Sequence, residues 1–263
     1  MKKTILITGA GGLIGTTLRK ALEPTYTIRS FSKHPIPEVD AVVADINDIE
    51  ALVEACQGVD SIIHMAADGS PRASWDSVLH NNISGTYTVY EAAARAGVGQ
   101  VIFASSNHAV GNYDLENAPD IYRTGQPLID HLVPVRPDSL YGVSKSFGES
   151  LGRYYAESKQ LRVICLRIGS ITHRDLPPRH VPAEHSYHES PERLAALWIS
   201  HRDLVQLVEK SLEAEHITFD IFYGVSNNTP HYYDLEHART TLGYQPQDGA
   251  DVHDVFVPES CER

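Results

Sequence analysis

The chain has few cysteines, no long apolar run and no excess of positive charge. Its three cysteines, Cys56, Cys165 and Cys261, are widely spaced and odd in number among 263 residues. This usage is typical of reduced thiols in a cytosolic protein and argues against a disulfide framework or a cysteine metal site. No apolar run approaches the roughly 20 residues that span a bilayer, and no signal-peptide core follows Met1. We therefore expect a cytoplasmic protein that does not enter a membrane.

The chain is acidic, with a formal net charge of -12. This balance argues against binding to nucleic acid or to anionic membranes, and an anionic substrate would require a local cationic pocket. The 14 histidines are scattered. His180, His185 and His188 lie in a proline-rich stretch, but their pattern is not that of a metal site, so we expect no metal.

Strand-like and helix-like segments alternate along the chain. Short apolar runs predict strands over residues 3–7, 25–31, 41–45, 61–65, 100–105, 162–167 and 218–223. Helices are predicted from about residue 12 to 22 and over residues 49–56, 75–96, 139–158, 204–213 and 234–242. The alternation predicts an α/β protein, a doubly wound parallel sheet of the Rossmann type with a small C-terminal substrate-binding lobe.

We expect residues 1–263 to form one unit with two parts. The predicted dinucleotide-binding core comprises residues 1–169 and about 200–228, and the substrate-binding lobe comprises about 170–199 and 229–263. Two long segments without a periodic pattern follow strand ends, where such sheets bind ligands. These segments, residues 107–138 and 170–192, are expected to form the walls of the substrate site.

A glycine-rich segment, TGAGGLIG at residues 8–15, stands between the first predicted strand and a helix. Gly9 permits a sharp turn, Gly12 lets the backbone approach a pyrophosphate, and Gly15 lets the helix lie close to the sheet. The N–H groups around Leu13 and Ile14, at the helix N-terminus, would face the phosphates. The alternative is a glycine-rich turn with no ligand, but the strand–turn–helix context favours dinucleotide binding.

Tyr141 and Lys145 are four residues apart and share one face of a predicted helix. An ammonium beside a phenol favours the phenolate, so this pair predicts a general base that works near neutral pH. Ser106 follows the fifth predicted strand and can hold a substrate hydroxyl against Tyr141. The alternative is an ordinary helix surface.

These features together resemble the extended short-chain dehydrogenase/reductase family over nearly the whole chain. The likeness rests on residues 8–15, Asp45-Ile46, Asn82 and the Tyr141–Lys145 pair. Four segments resemble uronate dehydrogenases more specifically: FASSNH at 103–108, LYGVSK at 140–145, RIGS at 167–170 and WISH at 198–201. Other segments resemble a sister group, the archaeal NAD-dependent glucose-6-phosphate dehydrogenases. These are WDSVL at 75–79, PDIYR at 119–123, LGYQPQD at 242–248 and the 119–136 insertion. The resemblance implies oxidation of the anomeric carbon of an anionic hexose to a lactone.

The resemblance also implies roles for single residues. Tyr141 would be the base, Lys145 would poise it and bind the nicotinamide ribose, and Asn82 would support the proton relay. A solvated helix asparagine is the alternative for Asn82. Adenine would contact Asp45 and Ile46. The residues expected to bind the sugar beside Ser106 are Asn107, His108, Ser170 and Arg193.

Arg193 matches the arginine that grips the carboxylate in uronate dehydrogenases. A guanidinium binds carboxylate, phosphate or sulfonate through a forked pair of hydrogen bonds, so the residue does not choose among anions. The alternative is a surface ion pair with Glu189 or Glu192. Loop cations that could favour a phosphate are Arg123, Arg174 and Arg179.

At the end of the second predicted strand, this sequence differs from both groups that it resembles. Those groups have an aspartate there, which suits the ribose 2′-hydroxyl of NAD, whereas this chain has Ser32 and Lys33. Serine and lysine suit a 2′-phosphate, and the local sequence offers no carboxylate to repel it. We therefore expect NAD or NADP as cofactor, with NADP accepted. The alternative is a solvated lysine with NAD held by backbone groups.

Two other functions remain open on the same scaffold. One is a nucleotide-sugar epimerase or dehydratase, although such proteins have a larger C-terminal domain. The other is a non-catalytic protein that senses NAD(P), although such relatives often lack the tyrosine or the lysine. The expected partner is a small anionic sugar. A homo-oligomer is expected through Tyr154, Tyr155 and the helices over residues 75–96 and 139–158.

Overall fold

The computed structural model describes residues 2–123, 128–177 and 190–251 of the chain. Within them, seven parallel strands form one sheet in the order β3-β2-β1-β4-β5-β6-β7. The strands are β1 Thr4–Thr8, β2 Thr27–Ser32, β3 Ala41–Val43, β4 Ser61–His64, β5 Gln100–Ser106, β6 Arg162–Ile168 and β7 Phe219–Gly224. This is the strand order of a Rossmann fold with a seventh strand added, so the predicted fold class is confirmed.

Helices cover both faces of the sheet, as the alternating pattern predicts. The helices are α1 Leu13–Leu22, α2 Ile49–Ala55, α3 Trp75–Ser77, α4 Gly85–Ala96, α5 Asn112–Asn117, α6 Leu140–Lys159, α7 Pro191–Leu197, α8 His201–Glu213 and α9 Glu236–Leu242. Side chains of β1 alternate between the faces: Ile5 and Ile7 pack with α1, α8 and α9, while Leu6 packs with α2, α4 and α6. Strands buried on both faces require the continuous apolar runs that the sequence shows.

The strand order reverses between β1 and β4, and this reversal positions the site. Thr8 pairs with His64, His64 pairs with Phe103, and Ser106 pairs with Ile168. The carboxyl ends of β1, β4, β5 and β6 therefore meet at one edge of the sheet. Ligands of open α/β sheets bind in the crevice at such a switch point.

A third apolar cluster covers this edge. It contains Val110, Ile121 and Ile129 from the segment after β5 together with Tyr232 and Tyr233 before α9. An isolated bridge between Ile129 and Tyr233 joins the two segments. The predicted boundaries between core and substrate lobe remain a prediction.

Several local predictions differ from the structure. The segment 107–138 contains α5 and two 3₁₀ turns, Asn107–Ala109 and Asp120–Tyr122, instead of irregular chain alone. The predicted helix over residues 75–96 is interrupted by a π-helical turn, Val78–Ser84. Strand β2 extends to Ser32, one residue beyond the predicted end, whereas β3 stops at Val43.

Helix α7 was missed, although its start carries readable signals. Ser190 is the N-cap and accepts a hydrogen bond from the N–H of Arg193, Pro191 opens the helix, and Glu192 lies in the first turn. Each of these choices favours a helix N-terminus. Other residues named from the sequence lie outside the described ranges: Arg179, His180, His185, His188, Glu189 and Cys261. In the described ranges, no helix has both the length and the apolar character needed to cross a bilayer.

Candidate active site

The glycine-rich loop joins β1 to α1 at the edge where the strand order reverses. Gly9 has φ +67°, and a Cβ there would lie 2.7 Å from the backbone nitrogen of Ala66. A Cβ on Gly15 would overlap the carbonyl oxygen of Gly9. The fold itself therefore requires both glycines. A Cβ on Gly12 would meet only the Gly9 oxygen, at 3.4 Å, so the protein alone would tolerate a side chain there. Glycine at this position keeps the outer side of the loop open to a ligand.

Two cavities adjoin at this loop. The first, of about 250 Å³, is lined by Gly9, Gly12, Phe31, Ser32, Lys33, Ala44, Asp45, Ile46 and Met65 to Ala67. The second, of about 140 Å³, is lined by Ile14, Ala104, Ser106, Tyr141, Lys145, Ile168 and Gly169. Met65 and Ala67 line both cavities. A dinucleotide has two nucleosides joined by a pyrophosphate, and two cavities that meet beside a helix N-terminus fit that shape.

The first cavity corrects the expectation that no carboxylate lies near Lys33. The end of β3 brings Asp45 beside the end of β2, and Lys33 Nζ lies 3.9 Å from Asp45 Oδ2. The same carboxylate lies 3.1 Å from Nε2 of His80 and accepts a hydrogen bond from the N–H of Asn47. The Asn47 hydrogen bond is the main cause that holds the pKa of Asp45 below its usual value. The ammonium of Lys33, which was expected to attract a 2′-phosphate, is therefore partly neutralised by Asp45.

Tyr141 and Lys145 lie in the first turns of α6. Ser139 caps the helix by accepting a hydrogen bond from the N–H of Gly142 at 3.0 Å. Lys145 Nζ donates to the carbonyl oxygen of Ala104 at 2.8 Å and lies 5.3 Å from the ring centre of Tyr141. Ser106 and Tyr141 line the same cavity. The predicted trio of Ser106, Tyr141 and Lys145 is thus brought together in one cavity.

Burial governs the protonation of this pair. It raises the pKa of Tyr141 to about 12, although the nearby Ser106 hydroxyl acts in the opposite direction. Burial also lowers the pKa of Lys145 to about 8. In the protein alone, burial has the largest effect on the pKa of Tyr141. The expectation that Lys145 poises Tyr141 as a base stays a prediction.

Asn82 lies in the π-helical turn and is almost completely buried. Its Nδ2 donates to the hydroxyl of Ser144 and to the carbonyl oxygen of Asp68, both at 3.0 Å, and its Oδ1 accepts from the N–H of Asp68 at 2.7 Å. The alternative of a solvated helix asparagine is wrong. Asn82 ties α6, one residue before Lys145, to the loop after β4. π-helical turns are frequent at functional sites.

The expected sugar-binding residues surround the end of β5 and its neighbour β6. Asn107 is buried; its Oδ1 accepts a hydrogen bond from Ser106 at 3.3 Å, and its Nδ2 has no hydrogen-bond partner among the described residues. The His108 ring meets the Tyr141 ring edge to face at 5.6 Å. Ser170 follows Gly169 of the cavity wall and pairs with the end of α7 through backbone hydrogen bonds to Leu197 and Ile199.

Arg193 is buried in α7, whereas the alternative considered from the sequence placed it on the surface. Its Nε donates to Asp114 in α5, and the hydroxyl of Tyr122 donates to the other oxygen of the same carboxylate. The charge of Arg193 also contributes to the lowered pKa of Asp138, beside His108. Arg123, one of the loop cations, forms an exposed ion pair with Asp120 at 2.7 Å.

One group of His and Asp residues in the described ranges could offer ligand atoms to a metal: His131, Asp220 and His237. The two imidazole rings are stacked at 3.6 Å with an interplanar angle of 6°. Ring-nitrogen lone pairs lie in the ring planes, so parallel stacked rings do not direct them to a common point. The absence of a metal remains a prediction.

Sequence reasoning missed the carboxylates that hold the site together. Asp68, Asp114 and Asp138 all lie in segments without a periodic pattern or a motif. Asp138 precedes the α6 N-cap and reads as an ordinary turn residue. Their roles depend on partners that the fold brings from distant positions.

The fold and the paired cavities define a dinucleotide-binding protein of the Rossmann type. The model of the NAD dependent epimerase/dehydratase family matches residues 5–185, and the chain belongs to this family.

Curated relatives resemble the chain over most of its length. It is 40% identical to an NAD-dependent glucose-6-phosphate dehydrogenase of Haloferax volcanii, with 95% of each chain covered. It is 36% identical to an L-arabinose 1-dehydrogenase (NAD(P)(+)) of the same organism, covering 94% of this chain and 97% of the relative. A uronate dehydrogenase of Pseudomonas putida is 33% identical over 96% of this chain and 87% of the relative.

Solved structures agree with these relatives. A glucuronic acid dehydrogenase from Chromohalobacter salexigens has a TM-score of 0.79 and 31% identity, covering 95% of this chain and 86% of that one. A uronate dehydrogenase from Agrobacterium tumefaciens, complexed with NAD, has a TM-score of 0.80 and 29% identity over 100% of this chain and 93% of that one. The predicted family and the predicted class, an NAD-dependent sugar dehydrogenase, are confirmed by these likenesses.

Proposed function

We propose that the chain oxidises the anomeric C1 hydroxyl of an anionic hexose to a lactone with NAD or NADP. The observation that carries this proposal is the shared cavity of Ser106, Tyr141 and Lys145 beside the glycine-rich loop. Relatives named for glucose 6-phosphate, L-arabinose and uronates are all sugar dehydrogenases, and these support the substrate class.

The dinucleotide would be held along the two cavities. Gly9, Gly12 and Gly15, with the N–H groups of Leu13 and Ile14, would receive the pyrophosphate. The adenosine end would contact Asp45 and Ile46 beside Ser32 and Lys33, and the nicotinamide end would contact Tyr141 and Lys145. When bound, the oxidised nicotinamide supplies the hydride acceptor and a positive charge. That charge, added to the charge of Lys145, would oppose the effect of burial on the pKa of Tyr141.

Tyr141 takes the O1 proton as C1 is oxidised. Ser106 would hold O1 against the phenol, and its hydroxyl lowers the pKa of Tyr141. Lys145 keeps a positive charge beneath the Tyr141 ring, and Asn82 fixes the turn of α6 that carries Lys145. Together these residues supply general-base catalysis, which contributes about 10²–10⁴ in rate.

The anionic group of the sugar would be bound by Arg193. Asp114 holds this guanidinium in place, so an arriving carboxylate or phosphate would meet an oriented group instead of a mobile surface side chain. One relative is named for L-arabinose, a neutral pentose, so neutral and anionic sugars have to be compared directly.

A substrate panel tests the proposal. Glucose 6-phosphate, glucuronate, galacturonate, glucose and L-arabinose are each offered with NAD and with NADP, and the reduced cofactor and the lactone are measured. We expect net reduced cofactor with at least one anionic sugar. No reduced cofactor with any sugar would overturn dehydrogenation and favour a sensor, whereas turnover of a nucleotide sugar without net reduction would favour an epimerase. A preference for L-arabinose over both kinds of anionic sugar would overturn the anion assignment alone.

Cytoplasmic location and homo-oligomeric assembly remain predictions. Of the two tyrosines expected at the interface, Tyr154 on α6 is half exposed, but Tyr155 is buried and donates to Glu91, so it is not available for contact with a second copy. Tyr87, on α4, is as exposed as Tyr154, which supports a helix-on-helix dimer as the first assembly to test. Size-exclusion chromatography with light scattering of the wild type and of Tyr154→Glu measures the assembly. A monomeric wild type at micromolar concentration would contradict the dimer.

A further inference from the structure

A buried carboxylate backs the active-site histidine. The two oxygens of Asp138 lie 2.9 and 2.8 Å from Nδ1 of His108, and the Asp138 side chain is only 6% exposed. The Nε2 of His108 makes no hydrogen bond to any described residue, and the ring stands edge to face against Tyr141. One nitrogen of the ring is therefore held by Asp138, while the other has no hydrogen-bond partner among the described residues.

The surroundings of Asp138 are built to hold its carboxylate. Ser139 donates its hydroxyl to Asp138 Oδ1 at 3.0 Å, and the N–H of Asp138 reaches the carbonyl oxygen of His108 at 3.4 Å. A Cβ on Gly111 would overlap the Asp138 carboxyl group, so glycine at that position reserves the space for it. Backbone hydrogen bonds from Arg136 to Ala109 and from Asn112 to Arg136 fix the two segments side by side.

Asp138 is held as a carboxylate, which accepts hydrogen bonds and does not donate them. Burial raises the pKa of this carboxyl. The hydrogen bond from His108 and the charges of His108 and Arg193 lower it, and together with Ser139 they outweigh burial, so the net shift of the pKa is downward. A carboxylate can only accept hydrogen bonds, so a neutral His108 must carry its proton on Nδ1. Its Nε2 is then a hydrogen-bond acceptor.

We propose that Asp138 is a positioning residue: it fixes the tautomer and the orientation of His108, so that Nε2 accepts a hydrogen bond from a sugar hydroxyl beside the reacting C1. This inference rests on the proposed function for the identity of the ligand, but the tautomer itself does not. A site that accepts a hydrogen bond from a hydroxyl discriminates against a sugar that lacks that hydroxyl, because the acceptor is then left unpaired. Asp138 thereby contributes to substrate specificity without touching the substrate.

The tautomer is measured directly by nitrogen NMR of histidine-labelled protein at a pH where His108 is neutral. In the wild type we expect a proton on Nδ1 and a bare Nε2. Asp138→Asn keeps the size but can donate to Nδ1, so we expect the proton to move to Nε2, as an amide in place of the carboxylate favours the other tautomer. A wild-type His108 protonated on Nε2 would overturn the proposal, whether or not any sugar is oxidised.

Kinetics supply the second readout. With glucose 6-phosphate we expect Asp138→Asn to lower kcat/KM by at least about tenfold, similar to the loss of carboxylate partners behind metal-binding histidines. The kcat/KM of each monodeoxy analogue of glucose 6-phosphate is then compared with that of glucose 6-phosphate. For one analogue the wild type should show a large loss of kcat/KM, and Asp138→Asn and His108→Phe should not show this loss. Unchanged kinetics and unchanged discrimination in Asp138→Asn would overturn the positioning role.

A matched control lies elsewhere in the chain. Asp220 contacts Nε2 of His237 with both oxygens at 3.0 Å, which is the same kind of pair outside the cavities. Asp220→Asn should change the His237 signals and leave both the His108 tautomer and the kinetics unchanged. If it lowered kcat/KM as much as Asp138→Asn does, the kinetic effect would be a general loss of stability and the positioning role would be rejected.

Discussion

Arg193 in α7 donates its Nε–H to the carboxylate of Asp114 in α5, and both side chains are more than nine-tenths buried. Truncation of Arg193 to alanine would therefore leave an uncompensated buried charge. We expect Arg193→Ala to destabilise the protein by about 3–5 kcal/mol, as for other broken buried pairs, which obscures its effect on substrate binding. Urea unfolding measures this change.

Arg193→Lys is the sharper variant for the anchor role. It keeps the charge beside Asp114 but removes the fork that binds an anion in two places. We expect KM for glucose 6-phosphate or glucuronate to rise by about tenfold, with a smaller change in kcat and little change for L-arabinose. Equal losses on anionic and neutral sugars would dismiss Arg193 as the anion anchor.

Lys145 is required for the proposed catalysis, but its burial destabilises the folded protein. Burial lowers its pKa from 10.5 to about 8, which corresponds to a cost of about 3 kcal/mol at neutral pH. We expect Lys145→Met to abolish activity and to raise the free energy of unfolding by about 1–3 kcal/mol at pH 7.

The pH dependence of this gain has a definite sign. Between the folded pKa of about 8 and the unfolded value near 10.5, the unfolded wild type binds more protons than the folded protein. Wild-type stability therefore rises with pH in that window, and the advantage of Lys145→Met shrinks there. Denaturant titrations at several pH values measure it, and Lys159→Met, at the exposed end of α6, is the control. A variant less stable than the wild type at pH 7 would show that the lysine is not strained by burial.

Tyr141→Phe should remove the proton acceptor and nothing else. We expect kcat to fall by about 10²–10⁴ while cofactor affinity stays within about twofold. Tyr154→Phe, on the exposed side of the same helix, should leave kcat unchanged. Retained activity in Tyr141→Phe would place the base elsewhere.

The pH–rate profile tests the state of Tyr141. Because the phenolate is the active form and burial raises its pKa, kcat/KM should increase with pH. The Ser106 hydroxyl lowers that pKa, so Ser106→Ala should shift the rising limb to higher pH. A shift to lower pH would contradict the arrangement of these two hydroxyls.

Cofactor selectivity depends on two opposed groups. Lys33 would attract a 2′-phosphate, while Asp45, 3.9 Å from its ammonium, would repel it. We expect Lys33→Ala to lower kcat/KM with NADP by about tenfold without affecting NAD, and Asp45→Asn to raise the NADP to NAD ratio. Lys159→Ala controls for a general loss of positive charge. An unchanged ratio in both variants would remove these residues from selectivity.

The sequence alone determined the features that depend on local pattern. Apolar runs alternating with helical segments gave the parallel sheet, since each segment carries its own periodicity. The glycines at 9, 12 and 15 marked the loop, and the four-residue spacing of Tyr141 and Lys145 put both on one helix face. The N-cap and proline at the start of α7 were also local signals, and reading them would have found that helix.

Only the tertiary structure decided which polar and charged side chains contact one another and how burial changes their pKa values. Asp114 and Arg193 are 79 residues apart, Asn82 and Ser144 are 62 apart, and His108 and Asp138 are 30 apart. No periodicity relates such positions, because these pairs form only after the strands and helices have packed. The protonation of Tyr141 follows the same logic: spacing predicts a neighbouring ammonium, but the loss of water around the phenol depends on the whole fold.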